Sequence, residues 1–296
     1  MNKEGAFLFV MRKSRFIILS MSFLFVLAAC GGGHSPENAL DRILEEGTVK
    51  IGFANEAPYA YEENGELKGA AVEIAKAVFA EMGVHNIEGE LQEFGNLIPG
   101  VQNGKFDVIT AGMAITPDRC KSVAFGEPEI QYGEGMVVRK GNPENLKSYE
   151  DIAANPEIKV AVMSGATEID FLLRSGVSED QIQRVPDIAA GITAVQTGRA
   201  HVTTATELTV QKAMLEAGSD ELEFVMDFEQ PDIEGVPSYG AAAFHKDAES
   251  LREAYNEILQ ELKESGKILE IIEDELWGEK NIVDPSLTTA EICAGG

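Results

Sequence analysis

Basic residues are scarce in this chain: 24 lysines and arginines stand against 50 aspartates and glutamates, which makes the formal net charge −26. Because a surface of that charge repels a phosphate backbone, the composition argues against binding DNA or RNA. Long apolar runs are also scarce, and after the first 29 residues none approaches the roughly 20 residues of a membrane span. The apolar fraction of 44% is ordinary for a globular chain long enough for one large or two ordinary domains.

The early apolar run, Phe16 to Ala29, follows several basic residues and ends in small side chains directly before Cys30. A basic start, an apolar middle and small residues at the end are typical of a secretory signal. The segment resembles the lipobox of bacterial lipoproteins, which implies that Cys30 is lipidated and becomes the new N-terminus. We therefore predict a signal peptide over 1–29 and an extracytoplasmic protein that is held to the cell membrane by acyl chains. The alternative is an uncleaved transmembrane anchor, for which the run is short.

Cysteine is scarce as well, because only Cys120 and Cys293 remain besides Cys30. In an oxidising compartment two thiols can form one disulfide. We predict this bond because it would tie the C-terminal tail to the body; two buried free thiols are the alternative. The acidic residues that crowd the last helices are interpreted as a solvated surface and not a cation site, so neither a metal nor a cofactor is expected.

Short apolar strands alternate with amphipathic helices after a predicted flexible tether over 30–39. Strands are predicted over 48–54, 88–93, 107–110, 159–162, 201–204, 222–225 and 240–244. Helices are predicted over 71–82, 187–196 and 207–217. A further short helix is predicted to begin at the capping box of Ser148 and Asp151, and a long helix is predicted to end at Gly266. Such alternation predicts an α/β fold with parallel sheets in two lobes. Ligands of such sheets bind beyond the carboxyl ends of the strands.

The first two predicted strand ends carry an acid and aromatic rings. Glu56 and Tyr59 lie three residues apart after the first strand, and Phe94 follows the second. A carboxylate and a π face together suit a cation. The alternatives are an ordinary loop for Glu56 and Tyr59, and core packing for Phe94.

The later strand ends carry anion-binding features. Arg119 lies near the start of a helix that begins at Pro117, a poor place for a cation unless an anion is bound there. Its guanidinium matches a carboxylate, although a surface salt bridge is the alternative. The turn at Gly165 and Thr167 offers further donors to an anion. Thr206 lies just after the predicted strand 201–204.

The segment from Leu97 to Arg119 resembles the core signature of extracellular solute-binding proteins of the polar amino acid type, the receptors of ABC importers. The segments 65–69, 198–200 and 263–267 fit the same family. The resemblance implies a two-lobe, periplasmic-binding-protein-like fold of type II, with the ligand in the cleft between the lobes. It also implies a monomer that passes a small solute to the transmembrane subunits of an ABC permease.

The same resemblance implies discontinuous lobes and a set of binding residues. Lobe 1 is expected over 40–130 plus 238–296 and lobe 2 over 134–236, with hinge crossovers near 131–133 and 237–239. The residues that carry over are Arg119 as carboxylate clamp, Gly112 and Ala114 as backbone donors, and Gly165 and Thr167 as the second-lobe turn.

Thr206 departs from the family pattern, which usually has an aspartate there for the ligand's α-ammonium. A threonine cannot neutralise that charge in a dry cleft, which argues against an ordinary α-amino acid unless Glu207 supplies the carboxylate. A narrower resemblance, carried by 55–59, 93–95, 119–120 and Cys293, is to ectoine and hydroxyectoine receptors. It implies that Glu56, Tyr59 and Phe94 hold a cyclic amidinium. Ala114 stands where those receptors have a further aromatic residue.

Ectoine, hydroxyectoine or a related zwitterionic compatible solute is therefore the leading prediction for the ligand. A polar or cationic amino acid is the alternative. An enzyme on the same fold, such as a cyclohexadienyl dehydratase or a murein lytic enzyme, is disfavoured because Glu56 has no visible catalytic partner and the histidines lie away from the predicted binding residues. The sensor half of a signalling receptor is disfavoured because no transmembrane or cytoplasmic continuation is visible.

Overall fold

A computed structural model describes residues 35–273 and 276–295. The predicted signal peptide, Cys30 and most of the predicted tether lie outside these described residues. Within them, no helix has the length and apolar character that crossing a membrane requires.

The described residues contain fourteen strands and eleven α-helices. The strands are β1 (Thr48–Phe53), β2 (Tyr61–Glu63), β3 (Glu66–Lys68), β4 (Asn86–Leu91), β5 (Val108–Ile109), β6 (Ala124–Phe125), β7 (Ile130–Tyr132), β8 (Glu134–Arg139), β9 (Val160–Met163), β10 (Ile182–Val185), β11 (Val202–Thr206), β12 (Leu222–Phe224), β13 (Ser238–Gly240) and β14 (Ala243–Phe244). The helices are α1 (Ala39–Glu46), α2 (Ala70–Glu81), α3 (Leu97–Gln102), α4 (Pro117–Cys120), α5 (Tyr149–Ala154), α6 (Glu168–Arg174), α7 (Ile188–Gln196), α8 (Glu207–Ala217), α9 (Glu249–Glu264), α10 (Lys267–Ile272) and α11 (Thr289–Cys293).

Two five-stranded sheets organise the chain, in the orders β4-β1-β5-β14-β6 and β10-β9-β11-β8-β12. The expected α/β fold with two sheet-containing lobes is confirmed. The expectation of parallel sheets is correct for only three adjacent strands in each, because β14 pairs antiparallel with β5 and with β6, and β8 pairs antiparallel with β11 and with β12. Strand β8 therefore runs opposite to both of its neighbours in the second sheet.

The second sheet is buried on both faces. Successive side chains along a strand point to opposite faces, so each strand contributes to two apolar clusters. Met136 and Val138 of β8 contact one apolar cluster, which includes Tyr149 of α5. Val137, between them, contacts the opposite cluster with residues of α7. Strand β8 is therefore continuously apolar at its centre and shows no period of two that could have marked it as a strand.

Several local predictions agree with the structure. The capping box of Ser148 and Asp151 starts α5, and α8 has the expected bounds. The expected strand over 240–244 is split, because β13 pairs with β7 whereas β14 joins the first sheet. Strands β7 and β13 form a separate antiparallel ribbon, and each lies in the chain between a strand of one sheet and a strand of the other.

The disulfide between Cys120 and Cys293 is present and joins α4 to α11.

Candidate binding cleft

Residues from both lobes meet around a small cavity at the carboxyl ends of β1, β5, β9 and β11. Its free volume is about 20 Å³, the space of roughly one water molecule, so the opposing walls are nearly in contact. Eight of the nine predicted binding residues line it: Glu56, Tyr59, Phe94, Gly112, Ala114, Arg119, Thr167 and Thr206. Five further residues complete the wall without having been expected there: Ala111, Tyr132, Met163, Ala166 and Glu168.

Tyr59 is held in a tight turn after β1, where its N–H donates to the carbonyl of Glu56 at 2.9 Å. Its ring is 1% exposed and packs edge to face against Tyr132 and Trp277, with centroid distances of 5.1 and 5.0 Å. Gly112 makes room for this ring: its φ is +60°, and a Cβ there would lie 2.3 Å from Cδ1 of Tyr59. Position 112 therefore favours glycine both for its backbone and for the ring beside it.

Hydroxyl groups connect Tyr59 to Glu56 through the second lobe. The Tyr59 hydroxyl donates to Oγ1 of Thr206 at 2.9 Å, Thr206 donates to Oγ1 of Thr209 at 3.0 Å, and Thr209 donates to Oε1 of Glu56 at 2.8 Å. Each hydroxyl donates once, so the chain of hydrogen bonds has one direction and ends on the carboxyl group. Thr206 also accepts the backbone N–H of Thr209 as the N-cap of α8. Thr209 is fully buried and was not expected in the site.

Burial raises the pKa of Glu56 from 4.5 to about 7. The hydrogen bond from Thr209 opposes this rise, the nearby Glu168 adds to it, and the charge of Arg119 lowers the pKa again. The carboxyl group of Glu56 therefore changes its protonation near neutral pH. Glu207, the other acid considered for the ammonium, is ion-paired with Lys280 at 2.6 Å instead.

Arg119 bridges the two lobes. One guanidinium nitrogen donates to the carbonyl of Ala114 and another to the carbonyl of Gly165, both at 2.9 Å. The ring of Phe94 lies 5.4 Å from the guanidinium carbon. Two carbonyls and an aromatic face contact this cation, so in this structure it has partners near the helix start without a bound anion. Phe94 was expected to face a ligand cation, and in this structure it contacts the cation of the protein itself.

Gly165 lies against Gly95 of the first lobe. Its φ is +84°, and a Cβ there would lie 2.7 Å from Cα of Gly95. Its carbonyl accepts from Arg119, although the turn was expected to contribute donors. Ala114 supplies no aromatic ring to the cavity, but Tyr132 lines the same cavity. The Tyr132 hydroxyl donates to the carbonyl of Gly112 at 2.6 Å. The cavity therefore has three aromatic rings, those of Tyr59, Phe94 and Tyr132.

Two further buried acids lie on the second-lobe side, and neither was expected. Glu168 is the first residue of α6 and is 3% exposed; Glu134 is the first residue of β8 and is 1% exposed. Burial raises the pKa of both, and the neighbouring Glu168 raises that of Glu134 further. Glu168 directly follows Thr167 of the predicted binding turn. This position next to the turn was the one sequence feature that could have indicated Glu168 as a site residue.

The cavity thus offers one guanidinium, carboxyl groups and aromatic rings in a dry enclosure. Such a set suits a small molecule with a carboxylate at one end and an N–H-bearing cation at the other. Among the described residues no group of three or more histidine, cysteine or acidic side chains is arranged to hold a metal ion.

Comparisons with known proteins identify the family of the chain. The family model for bacterial extracellular solute-binding proteins, family 3, matches residues 49–277. A probable amino-acid ABC transporter periplasmic-binding protein of Sinorhizobium fredii is 38% identical over 261 residues, 86% of each chain. The crystal structure of EhuB in complex with hydroxyectoine is similar with a TM-score of 0.78 and 34% identity, and the match covers 88% of this chain and 99% of that one. An ancestral arginine-binding protein bound to arginine gives a TM-score of 0.66 and 28% identity, with 78% and 99% covered.

Proposed function

The chain belongs to family 3 of the bacterial extracellular solute-binding proteins, as a binding component of an amino-acid ABC transporter, and we propose that it captures ectoine, hydroxyectoine or a related zwitterionic compatible solute. The observation that carries this proposal is the presence of Arg119 and Glu56 in one enclosed cavity with aromatic rings. The guanidinium would bind the solute's carboxylate in a bidentate manner. Glu56 would accept the N–H groups of a delocalised cation, and the rings would face its plane.

Thr206 supports a delocalised cation over a compact ammonium. Its hydroxyl hydrogen is already donated to Thr209, and it carries no charge with which to offset an ammonium. An unpaired ammonium in a dry cleft would be costly, whereas a delocalised cation is less strongly hydrated and is stabilised by aromatic faces. The similarity to the hydroxyectoine complex of EhuB supports the same choice.

A cationic amino acid is the second candidate, and the buried acids favour it. Glu56, Glu134 and Glu168 all lie in or against the cleft, where Arg119 is the one cation among the described lining residues. This excess of acids suits a solute with more positive than negative charge. The similarity to the arginine complex of the ancestral protein is consistent with this candidate.

The proposal has three further parts: the protein binds its solute without catalysing a reaction, its two lobes have the boundaries given below, and a lipid anchors it to the membrane. Lobe 1 would span 40–130 plus 238–296 and lobe 2 134–236, and the ribbon of β7 and β13 would serve as the hinge of a monomer. Lipidation at Cys30 would keep the protein at the membrane beside its permease. A mature protein whose Cys30 carries no acyl chain in mass spectrometry would contradict the anchor, and turnover of prephenate by purified protein would contradict a purely binding role.

A thermal-shift comparison tests the ligand. Purified protein is heated with equal concentrations of ectoine, hydroxyectoine, glycine betaine, L-arginine or L-glutamine, because a true ligand raises the melting temperature by mass action. We expect the ectoines to give the largest rise. A rise with L-arginine alone would favour the second candidate, and no rise with any of the five would overturn both.

A further inference from the structure

A pair of buried carboxyl groups lies against the second-lobe wall of the cleft. We propose that Glu168 is an additional binding residue for the solute's cationic group, that Glu134 behind it is a positioning residue which shares one proton with it, and that solute capture expels this proton. The inference rests on the proposed function, because it concerns the same cleft.

The first observation is the position of Glu168. It lines the cavity together with Glu56 and Arg119 and is 3% exposed. Its neighbours are a backbone N–H, the carboxyl group of Glu134 and the more distant charge of Arg119, so it lacks a cationic partner in direct contact among the described residues. A cationic group in the cavity would supply that partner.

The second observation is the unsatisfied oxygen of Glu134. Its Oε2 accepts the hydroxyl of Tyr149 at 3.3 Å, but its Oε1 receives no hydrogen bond from any described residue. A buried carboxylate oxygen without a donor is costly. The carboxyl groups of Glu168 and Glu134 are hydrogen-bonding neighbours. A proton on Glu134 satisfies both groups, because Glu134 then donates to Glu168.

Two carboxylates in contact cannot both stay ionised, so the pair holds one proton over a wide pH range. The groups that face it are Glu56, Arg119 and the hydroxyl of Tyr149. Burial raises the pKa of Glu134 well above 4.5, and the Arg119 charge partly offsets the rise for Glu168. The proton therefore resides on Glu134 and the charge on Glu168, the member that faces the cavity.

A solute cation beside Glu168 changes this balance, because it stabilises a second negative charge. The O–H bond of Glu134 then breaks and its proton passes to the buffer; no bond to the solute forms. Glu168 and Glu56 would grip the cation from two sides while Arg119 holds the carboxylate. Capture would then be coupled to proton release.

Calorimetry of the protein with hydroxyectoine and with L-arginine as probes tests the coupling. Each titration is run at pH 7 in phosphate and in Tris, whose heats of ionisation differ, so that the protons released can be counted. We expect Glu134→Gln to release fewer protons than the wild type, by up to about one, with less than a tenfold loss of affinity. Glu168→Gln should weaken binding more than tenfold. Equal proton release from Glu134→Gln and the wild type would overturn the proposal, as would unchanged affinity in Glu168→Gln.

Glu129→Gln is the matched control. Glu129 is 2% exposed, burial raises its pKa to about 7, and the Tyr255 hydroxyl donates to it at 2.7 Å, but it does not line the cleft. This variant should release as many protons on binding as the wild type. If proton release falls as much in Glu129→Gln as in Glu134→Gln, the effect belongs to buried acids in general. That result would overturn the specific pairing of Glu134 with Glu168.

A ligand-free measurement separates this inference from the proposed function. Failure of every probe to bind the wild type would remove the proposed solutes but leave the pair testable. Because the pKa of Glu134 is raised in the folded state, Glu134 contributes a loss of stability as pH rises above the unfolded value of 4.5, and Glu134→Gln lacks this contribution. The melting temperature of Glu134→Gln relative to the wild type should therefore increase from pH 5 to pH 8. A constant difference would show that no proton is shared.

Discussion

Thr209 donates its hydroxyl to Oε1 of Glu56 at 2.8 Å, and this bond joins the two sheet-containing lobes inside the cleft. The two residues are 153 positions apart in the chain. Because the bond favours the ionised form of Glu56, the approach of the second lobe and the negative charge available to a cation are coupled.

Replacing Thr209 with valine should weaken solute binding at neutral pH. The change removes the donor with little change in shape, so the pKa of Glu56 rises further and less of it is ionised. We expect a loss of about 1–3 kcal/mol, the cost of leaving a buried acceptor unsatisfied. Calorimetry at pH 7 measures it. Thr203→Val is the matched control, because Thr203 is equally buried but donates to the carbonyl of Ala161 within the second sheet. Equal losses in both variants would contradict a specific role for Thr209.

The affinity for a cation-bearing solute should increase with pH between about pH 5.5 and about pH 8, by up to about tenfold per unit below the pKa of Glu56. The sign follows from burial, which raises that pKa to about 7, since a cation binds the ionised carboxylate and the ionised fraction grows as pH rises. Binding constants at four pH values measure the profile. In Glu56→Gln the same profile should be weaker and flatter. An affinity that falls with pH in the wild type would refute this assignment.

Truncating Arg119 should have the largest effect of any single change in the cleft. Arg119→Ala would leave the solute's carboxylate unpaired and remove the bridge from Ala114 to Gly165, at a cost on the order of 3 kcal/mol or more in binding. Arg119→Lys keeps the charge but loses the two-pronged geometry, so it should rescue only part of the affinity. Arg184, whose ion pair with Glu179 is exposed, provides the control, and Arg184→Ala should bind normally. Less than a tenfold loss in Arg119→Ala would remove this residue from the site.

Removing the disulfide should lower stability without changing affinity. The bond closes a loop of 173 residues between α4 and α11, and a disulfide of this kind is worth about 2–5 kcal/mol. Cys120→Ser with Cys293→Ser should therefore melt at a lower temperature and retain the solute affinity, because neither cysteine lines the cavity. Thermal melts and calorimetry on the double variant measure both. A large loss of affinity at temperatures where the variant is folded would show that α11 positions the cleft.

Local chemistry accounts for the parts of the fold and site that could be predicted. The start of α5 follows from its capping box, and Glu56, Arg119 and Thr206 were found because each follows a strand whose carboxyl end must face a cleft. Strand β8 was missed because its centre is buried on both faces and so lacks alternation. The split of 240–244 depends on which partner each half meets, which local sequence does not encode.

Contacts between distant segments account for what was missed in the site. Thr209 lies on the helix that follows Thr206, but its partner Glu56 belongs to the other lobe. Phe94 contacts Arg119 because the two segments converge in space, and Glu134 meets Glu168 in the same way. Buried acids are the residues that composition predicts least, since acidic side chains are usually exposed unless they are paired.

A crystal structure of the protein with hydroxyectoine tests the central claim most directly. The claim predicts the carboxylate of the solute within hydrogen-bonding distance of the Arg119 guanidinium and its N–H groups on Glu56, between the rings of Tyr59 and Phe94. A solute bound with its carboxylate away from Arg119, or a cleft that takes up L-arginine but not hydroxyectoine under the same conditions, would contradict it.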